Sequence, residues 1–322
     1  MRAVGIILAG GNYNRMKELT HKRAVAAMPI AGSYRSIDFA LSNMTNSHIQ
    51  KVAVLTQYNA RSLNEHLNSS KWWNFGRKQG GLYVFTPTIT NDNGYWYRGT
   101  ADAIYQNMDF LKKSHEPYVV IASGDAVYKM DYSKVLQYHI DKKADVTVVC
   151  KEMDPSDDVS RFGTIRMDDD MRITEFEEKP MVTKSNMIST GIYVIRRRLL
   201  IDLIEHAAEE ERFDFVNDVL IRYKNLKKIY GYKIDHYWSN IATVDAYYKT
   251  NMDFLKPEVR NYFFKQDPEI YSKVSDLPPA KYNPGASVKN SLVGSGSIIN
   301  GTVENSVIFK QVFVGNNCVI KN

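Results

Sequence analysis

Residues 6–16 read Ile6-Ile7-Leu8-Ala9-Gly10-Gly11-Asn12-Tyr13-Asn14-Arg15-Met16. An apolar run ends in two glycines, and a polar loop with a single arginine follows. A buried parallel strand that delivers a tight turn at its carboxyl end has this pattern. Glycine lets the backbone come close to a ligand, and free N–H groups at such a turn can hold phosphate. Alone, the stretch fits any α/β protein that opens on a strand and a glycine turn, so the rest of the chain has to decide.

Working outward, Lys51-Val52-Ala53-Val54-Leu55-Thr56, Tyr118-Val119-Val120-Ile121-Ala122-Ser123 and Val146-Thr147-Val148-Val149-Cys150 read as further buried strands. Ser62–Leu67 and Ala101–Lys113 read as helices between them. Alternation of this kind predicts an α/β domain with a mostly parallel, doubly wound sheet. Ligands of such sheets sit beyond the carboxyl ends of the strands. This domain is assigned to 1–257. Residues 258–282, rich in aromatic, charged and proline residues including Pro278-Pro279, read as a linker. From 283 to 322, Val293-Gly294-Ser295-Gly296-Ser297-Ile298 and Val314-Gly315-Asn316-Asn317-Cys318-Val319 fit an aliphatic-glycine hexapeptide repeat, the mark of a parallel β-helix. A pair of β-hairpins is the alternative. Val303, Val307, Ile308, Val312 and Phe313 are expected to fill the core of these coils. With the sequence stopping at Asn322 after about two coils, the β-helix is expected to be truncated or unusually short.

Composition narrows the class. The apolar share of 44% and charged share of 24% are those of an ordinary soluble protein, and 322 residues suffice for about two domains. No long apolar run and no basic-plus-apolar leader is present, so a cytoplasmic protein without a membrane span is expected. The net charge of +6 is spread among interspersed acids without a Lys/Arg block. Phosphorylated small molecules therefore explain local basic clusters such as Lys22-Arg23 better than nucleic acid does. Cys150 and Cys318 lie far apart without metal-ligand spacing, and Cys150 reads as a reduced core residue.

Leu19-Thr20-His21-Lys22-Arg23-Ala24-Val25-Ala26-Ala27-Met28-Pro29, then Gly32-Ser33-Tyr34-Arg35-Ser36-Ile37-Asp38-Phe39-Ala40-Leu41-Ser42-Asn43, resembles the opening of bacterial glucose-1-phosphate adenylyltransferases. The likeness runs through essentially the whole chain. It implies a Rossmann-like (GT-A-like) nucleotidyltransferase domain followed by a left-handed parallel β-helix. It also implies the family's reaction, ATP and glucose 1-phosphate giving ADP-glucose and diphosphate in glycogen synthesis. Attack on the α-phosphorus needs alignment and charge neutralisation more than covalent help, supplied by Mg²⁺ on carboxylates and by Lys and Arg on the phosphates.

Carried over residue by residue, the resemblance places Gly10, Gly11 and Arg15 at the phosphates and Gln57 near the adenine. Trp96-Tyr97-Arg98-Gly99-Thr100-Ala101-Asp102-Ala103 matches a family signature in which Gly99 and Thr100 open a helix with Asp102 in its first turn. Ser123-Gly124-Asp125 carries the metal-binding aspartate, Asp125, the catalytic candidate beside Arg15. Arg161-Phe162-Gly163 matches too. Glu178 and Lys179, within Phe176-Glu177-Glu178-Lys179-Pro180, are implied to hold the glucose hydroxyls and sugar phosphate. Ser189, within Ser189-Thr190-Gly191-Ile192-Tyr193, is implied to line the sugar pocket.

Several family parts are replaced. Tyr13 and Asn14 stand where the family has Gly and Thr/Ser. Val25 and Ala26 stand for the lysine and proline of Arg-Ala-Lys-Pro. The stretch Thr86-Pro87-Thr88-Ile89-Thr90-Asn91 lacks the Gln-Gln-Arg-like residues. In Trp238-Ser239-Asn240-Ile241-Ala242-Thr243-Val244-Asp245 the second metal aspartate has become Asn240. A neutral amide is a much poorer Mg²⁺ ligand than a carboxylate.

These losses fall together on triphosphate and metal binding. The pattern resembles the regulatory, catalytically silent (GlgD-type) subunit of the family. Such a subunit would partner a catalytic glucose-1-phosphate adenylyltransferase subunit in a hetero-tetramer, or itself. Lys22, Arg23 and Arg35 match basic positions used for a phosphorylated effector. Mg²⁺ is expected as cofactor only if the chain is active, and none otherwise. An active enzyme using Asp125 with an altered metal site, and a stand-alone sensor of sugar phosphates or nucleotides such as ATP or ADP-glucose, remain as alternatives. No membrane or nucleic-acid partner is expected. A β-helix acyltransferase is set aside because no histidine lies in the repeats.

Overall fold

The computed structural model describes residues 2–11, 14–76, 80–89 and 94–322. Asn12, Tyr13, Thr90 and Asn91, singled out above, lie outside them. The organising stretch is strand β1 (Ala3–Leu8). It is flanked in parallel by β2 (Lys51–Leu55), and β3 (Gly81–Phe85) extends that side, also in parallel. On its other side lies β4 (Tyr118–Ser123), again parallel. The remaining strands of the nine-stranded sheet are β5 (Val146–Glu152), β6 (Gly163–Met167), β7 (Ile173–Glu178), β8 (Met187–Arg196) and β9 (Ile229–Ile234). β8 runs antiparallel to β4, β5 and β6, β7 pairs antiparallel with β6, and β9 is parallel to β5. A parallel centre thus carries an antiparallel flank.

Side chains of β1 alternate between two cores. Ala3 and Ile7 join one cluster with Ile37, Leu41, Met44 and Trp73, while Val4 and Ile6 join a second with Ala101, Ile104, Leu200 and Phe215. Both faces of the sheet are covered, which explains why its strands read as unbroken apolar runs. Cys150 is fully buried and free, and burial pushes its thiol up to about 12, far from a reactive thiolate.

Helix α1 (Ser36–Asn46) is nearly all buried, and its polar side chains act as clamps. The Ser36 hydroxyl donates to the Gly124 carbonyl (3.0 Å), and Asn43 both accepts from Met130 N–H (3.0 Å) and donates to the Tyr128 carbonyl (3.2 Å). The stretch 258–282 touches this helix around Phe263 and Tyr271 before Lys281–Tyr282 pair with Ile298–Ile299. Tyr271 N–H donates to Ser42 Oγ (2.8 Å), Trp73 Nε1 donates to the Tyr271 carbonyl (3.2 Å), and the helix Pro257–Phe264 buries Phe263 against Phe39 and Phe254.

His139 illustrates the cost of polar burial. It lies 2% exposed, with Nδ1 2.9 Å from Thr147 Oγ1 and its ring edge-on to Tyr118. Burial, helped by Arg196 and opposed by Asp145, pushes its pKa down to about 4. Between pH 6.5 and 4 the unfolded chain therefore takes up a proton that the folded chain refuses. Stability should fall by up to about 3 kcal/mol as the pH is lowered through that window. Urea midpoints at about pH 7 and pH 4.5 measure this, and His139→Gln should flatten the dependence.

Beyond residue 280 every strand pairing is parallel, in two three-stranded sheets and one two-stranded sheet. Ile299, Val303, Ile308 and Val314 form the inner core. Phe313 does not join it. It is 67% exposed, in register with Ile298, and strand alternation turns their neighbours Val314 and Ile299 inward instead. Val307 is half-buried. Among the described residues no helix is long and apolar enough to cross a membrane.

Candidate active site and anion pocket

The carboxyl ends of β1, β2 and β4 open into a cavity of about 380 Å³ lined by Leu8, Gly10, Gly11, Leu55, Ser123 and Tyr193, among others. Gln57 and the Tyr97–Thr100 segment form its far wall. Gln57 is engaged by backbone: Oε1 accepts from Tyr97 N–H (3.0 Å) and Nε2 donates to the Tyr97 carbonyl (3.3 Å). Its amide therefore fixes the wall of the cavity. Asp102 does the same one turn further, accepting from Arg98 N–H (2.8 Å) and Gln106 Nε2 (2.9 Å) while pairing with the Arg98 guanidinium. Thr100 Oγ1 accepts from Phe215 N–H (2.9 Å).

Gly99 is required by close approach. A Cβ there would stand 2.3 Å from the Phe213 carbonyl oxygen, which already accepts from Ala101 N–H (2.8 Å). Backbone cannot yield as a flexible side chain can. Gly99→Ala should destabilise the chain by about 2–3 kcal/mol, read as a lower melting temperature. Gly94→Ala, with nothing within 4 Å, is the neutral control.

The Ser123-Gly124-Asp125 turn meets the second half of the site through a short antiparallel pair, Ala126–Tyr128 with Trp238–Asn240. Ala126 faces Asn240, and Ile241 N–H donates to the Asp125 carbonyl (2.9 Å). The structure thus brings Asp125 and Asn240, far apart in sequence, to neighbouring positions. The Asp125 carboxylate is 5% exposed and accepts from the Ser123 hydroxyl. Asn240 Oδ1 accepts from Ala242 N–H (3.0 Å), closing a local turn.

A second cavity, about 650 Å³, lies beside this pair and is lined by Arg15, Arg161, Phe162, Trp238, Asn240 and Thr243, with several acids at its edges. Arg161 lies over the Phe162 ring (4.7 Å) and its Nη1 donates to Thr243 Oγ1 (3.3 Å). Burial lowers its pKa, with Arg15 adding to the effect and Asp158 and Asp125 opposing it. Val25 does not line this cavity. It is 3% exposed, in an apolar cluster with Met16, Phe39, Ile241 and Phe254.

The sugar-side candidates are arranged differently. Glu178 is largely buried, and Lys179, 62% exposed at its side chain, folds back onto it (2.8 Å). Ser189 Oγ lies 3.2 Å from the Tyr193 hydroxyl. Between Ser189 and Tyr193 the β8 register shifts, and Gly191 takes a φ of +75° at the edge of the first cavity. Bulges of this kind re-aim side chains near active sites.

Arg23 and Arg35 meet elsewhere, in a cavity of about 460 Å³ between the first domain and the β-helix, with Lys273, Lys310 and His66. Arg35 Nη1 donates to the Ser62 carbonyl (2.7 Å) and hydroxyl (3.0 Å), and Lys310 Nζ lies 3.3 Å from Ser275 Oγ. Burial lowers the pKa of both, with Arg23 adding at Arg35 and Arg35 adding at Lys310. Glu65 also lines the cavity, and the buried Asp38 is engaged by Arg35 N–H (2.8 Å) and His66 Nε2 (2.6 Å). Lys22 is exposed and does not line the cavity. The sequence reading missed Lys273 and Lys310, since only the fold brings them to residues near the start of the chain.

A sheet ending in a twin-glycine turn, with an acidic turn on a neighbouring strand, is an arrangement that nucleotidyltransferase domains share with other α/β folds. The sequence pattern of the nucleotidyl transferase family matches residues 4–257. The glucose-1-phosphate adenylyltransferase of Clostridium novyi (strain NT) is 40% identical over 98% of this chain and 84% of its own length. That of Clostridium botulinum (strain Alaska E43 / Type E3) is 42% identical over 99% and 83%. That of Thermosipho melanesiensis is 40% identical over 99% and 77%. The chain belongs to the glucose-1-phosphate adenylyltransferase family.

Proposed function

We propose that this chain is a regulatory, catalytically silent subunit of glucose-1-phosphate adenylyltransferase. The reaction served is ATP plus glucose 1-phosphate to ADP-glucose and diphosphate. The observation that carries this reading is the placement of Asn240 on the strand paired beside the Asp125 turn, with an amide oxygen that already accepts from Ala242 N–H where a second carboxylate would be needed. The packing of Val25 into the Met16–Phe254 cluster supports it, because no ammonium stands there to meet a phosphate. Developing charge on the phosphates would thus lack two of its neutralising groups.

The cavity beyond β1, β2 and β4 fits a bound nucleotide, with Gly10 and Gly11 toward its phosphates and Gln57 holding the Tyr97 wall. The Arg23–Arg35–Lys273–Lys310 pocket suits a phosphorylated effector. A catalytic subunit of the same family is the partner in this reading. The test is ADP-glucose synthesis by the purified chain, alone and mixed with a catalytic relative. Silence alone with a changed rate or effector response in the mixture is expected. Full turnover alone, or no influence on the partner, would overturn the reading.

A further inference from the structure

The donor set beside Asp125 suits an anion better than a cation. In the arrangement the family resemblance implies, a divalent cation takes one carboxylate oxygen from each of two strands. Here one strand offers Asp125, already receiving the Ser123 hydroxyl, and the other offers Asn240, whose oxygen accepts from Ala242 N–H. Among the described residues no group of three or more carboxylates, imidazoles or thiolates gathers to replace the missing ligand. Arg15 and Arg161 line the adjoining cavity, and among the described residues neither closes an ion pair.

Among the described residues, six acids line that cavity with the two arginines; five of them have hydrogen-bond or ion-pair partners of their own, and Asp158 also faces Arg15 and Arg161. Glu152 pairs with Lys233 (2.7 Å) and Asp157 lies 3.9 Å from Lys249. Asp253 accepts from Tyr237 (2.9 Å) and Lys256 (2.7 Å). Asp154 and Asp158 accept from the N–H groups of Ser156 (2.9 Å) and Ser160 (3.0 Å).

We infer that Arg15 and Arg161 take the polyphosphate of a nucleoside triphosphate without a divalent cation, in a site where the amide of Asn240 has removed the second metal ligand. This rests on reading the neighbouring cavity as the nucleotide site. Two guanidiniums, which cannot be deprotonated and present forked donors, supply the neutralisation that an ion would otherwise give. Mg²⁺ carried on the nucleotide then gains no protein ligand beyond Asp125.

The experiment is calorimetric titration of the purified chain with adenosine and with ATP, each in EDTA and in excess Mg²⁺. ATP in EDTA should bind at least about tenfold more tightly than adenosine, as one charge-assisted hydrogen bond suffices to give. Excess Mg²⁺ should leave the ATP affinity within about twofold. Arg161→Ala should lower ATP affinity about tenfold and leave adenosine unchanged, and Asn240→Asp should make ATP binding respond to Mg²⁺. The wild-type comparison needs no variant to fold. ATP binding that appears only with Mg²⁺, while adenosine binds, overturns the inference and leaves the nucleotide site standing. Failure of adenosine and ATP alike, with and without Mg²⁺, overturns both.

Discussion

Purified alone, the chain should make ADP-glucose at least about 10³-fold more slowly than its catalytic relatives, since removing one charge-neutralising group from the phosphates of a transition state costs roughly 2–4 kcal/mol. On the proposed reading two such groups are replaced, a lysine by Val25 and a carboxylate by Asn240, and both would act on the same phosphates. Asn240→Asp alone should therefore recover little. Its side chain can still accept from Ala242 N–H (3.0 Å), so the fold survives, while the missing ammonium still limits the reaction. Val25→Lys meets a different obstacle, because Val25 sits among Met16, Phe39 and Phe254. An ammonium there must either reach the cavity on its stem or be buried at a cost of several kcal/mol. A radiolabelled ADP-glucose assay on the wild type and the Asn240→Asp, Val25→Lys and double variants, with melting temperatures alongside, reads both effects. Turnover near that of the relatives by the unaltered chain would mean that another group neutralises the phosphates.

The second large effect belongs to the pocket between the domains. Lys310→Ala should weaken binding of inorganic phosphate, or of a sugar bisphosphate probe, by roughly 10- to 100-fold, since hydrogen bonds to charged groups are worth about 1.5–3 kcal/mol. The Lys310 ammonium donates to Ser275 Oγ (3.3 Å), a weak bond at the surface, so little of the fold depends on it. Arg35→Ala should cost as much affinity but also free the Ser62 carbonyl that its guanidinium holds (2.7 Å). Lys22→Ala, outside the cavity, should change binding hardly at all. Titration at low and moderate salt separates this site from nonspecific attraction, which fades with ionic strength. Equal weakening in all three variants would mean that no defined pocket holds the anion.

How much of this is legible in the sequence depends on the range of the interaction. The strands of the parallel centre stand out because burial on both faces leaves an apolar run that needs no partner to be recognised. The glycine turn and the hexapeptide repeats are likewise local. Phe313 faces outward, against expectation, because one residue of register decides which side of a strand turns inward. Asp102 and Gln57 are legible as polar residues near a ligand cavity. That both are engaged by the Tyr97–Arg98 backbone emerges only when the loop is folded against them. The basic pocket is half visible, since Arg23 and Arg35 lie near each other in sequence. Lys273 and Lys310 come from distant segments with nothing local to mark them.

Arg35 and Ser36 are consecutive residues with unlike duties. One guanidinium lines the basic pocket, and the next side chain grips the Gly124 carbonyl (3.0 Å), one peptide away from Asp125. Helix α1 begins between them, and its Asn43 clamps Tyr128 and Met130 just beyond. The helix thus bridges the basic pocket and the turn that carries Asp125. A tug on Arg35 by a bound phosphate would reach the acidic turn through a single peptide link and one hydroxyl. A subunit that performs no chemistry of its own would keep, in that helix, a mechanical route from what it senses to the floor of the site beside it.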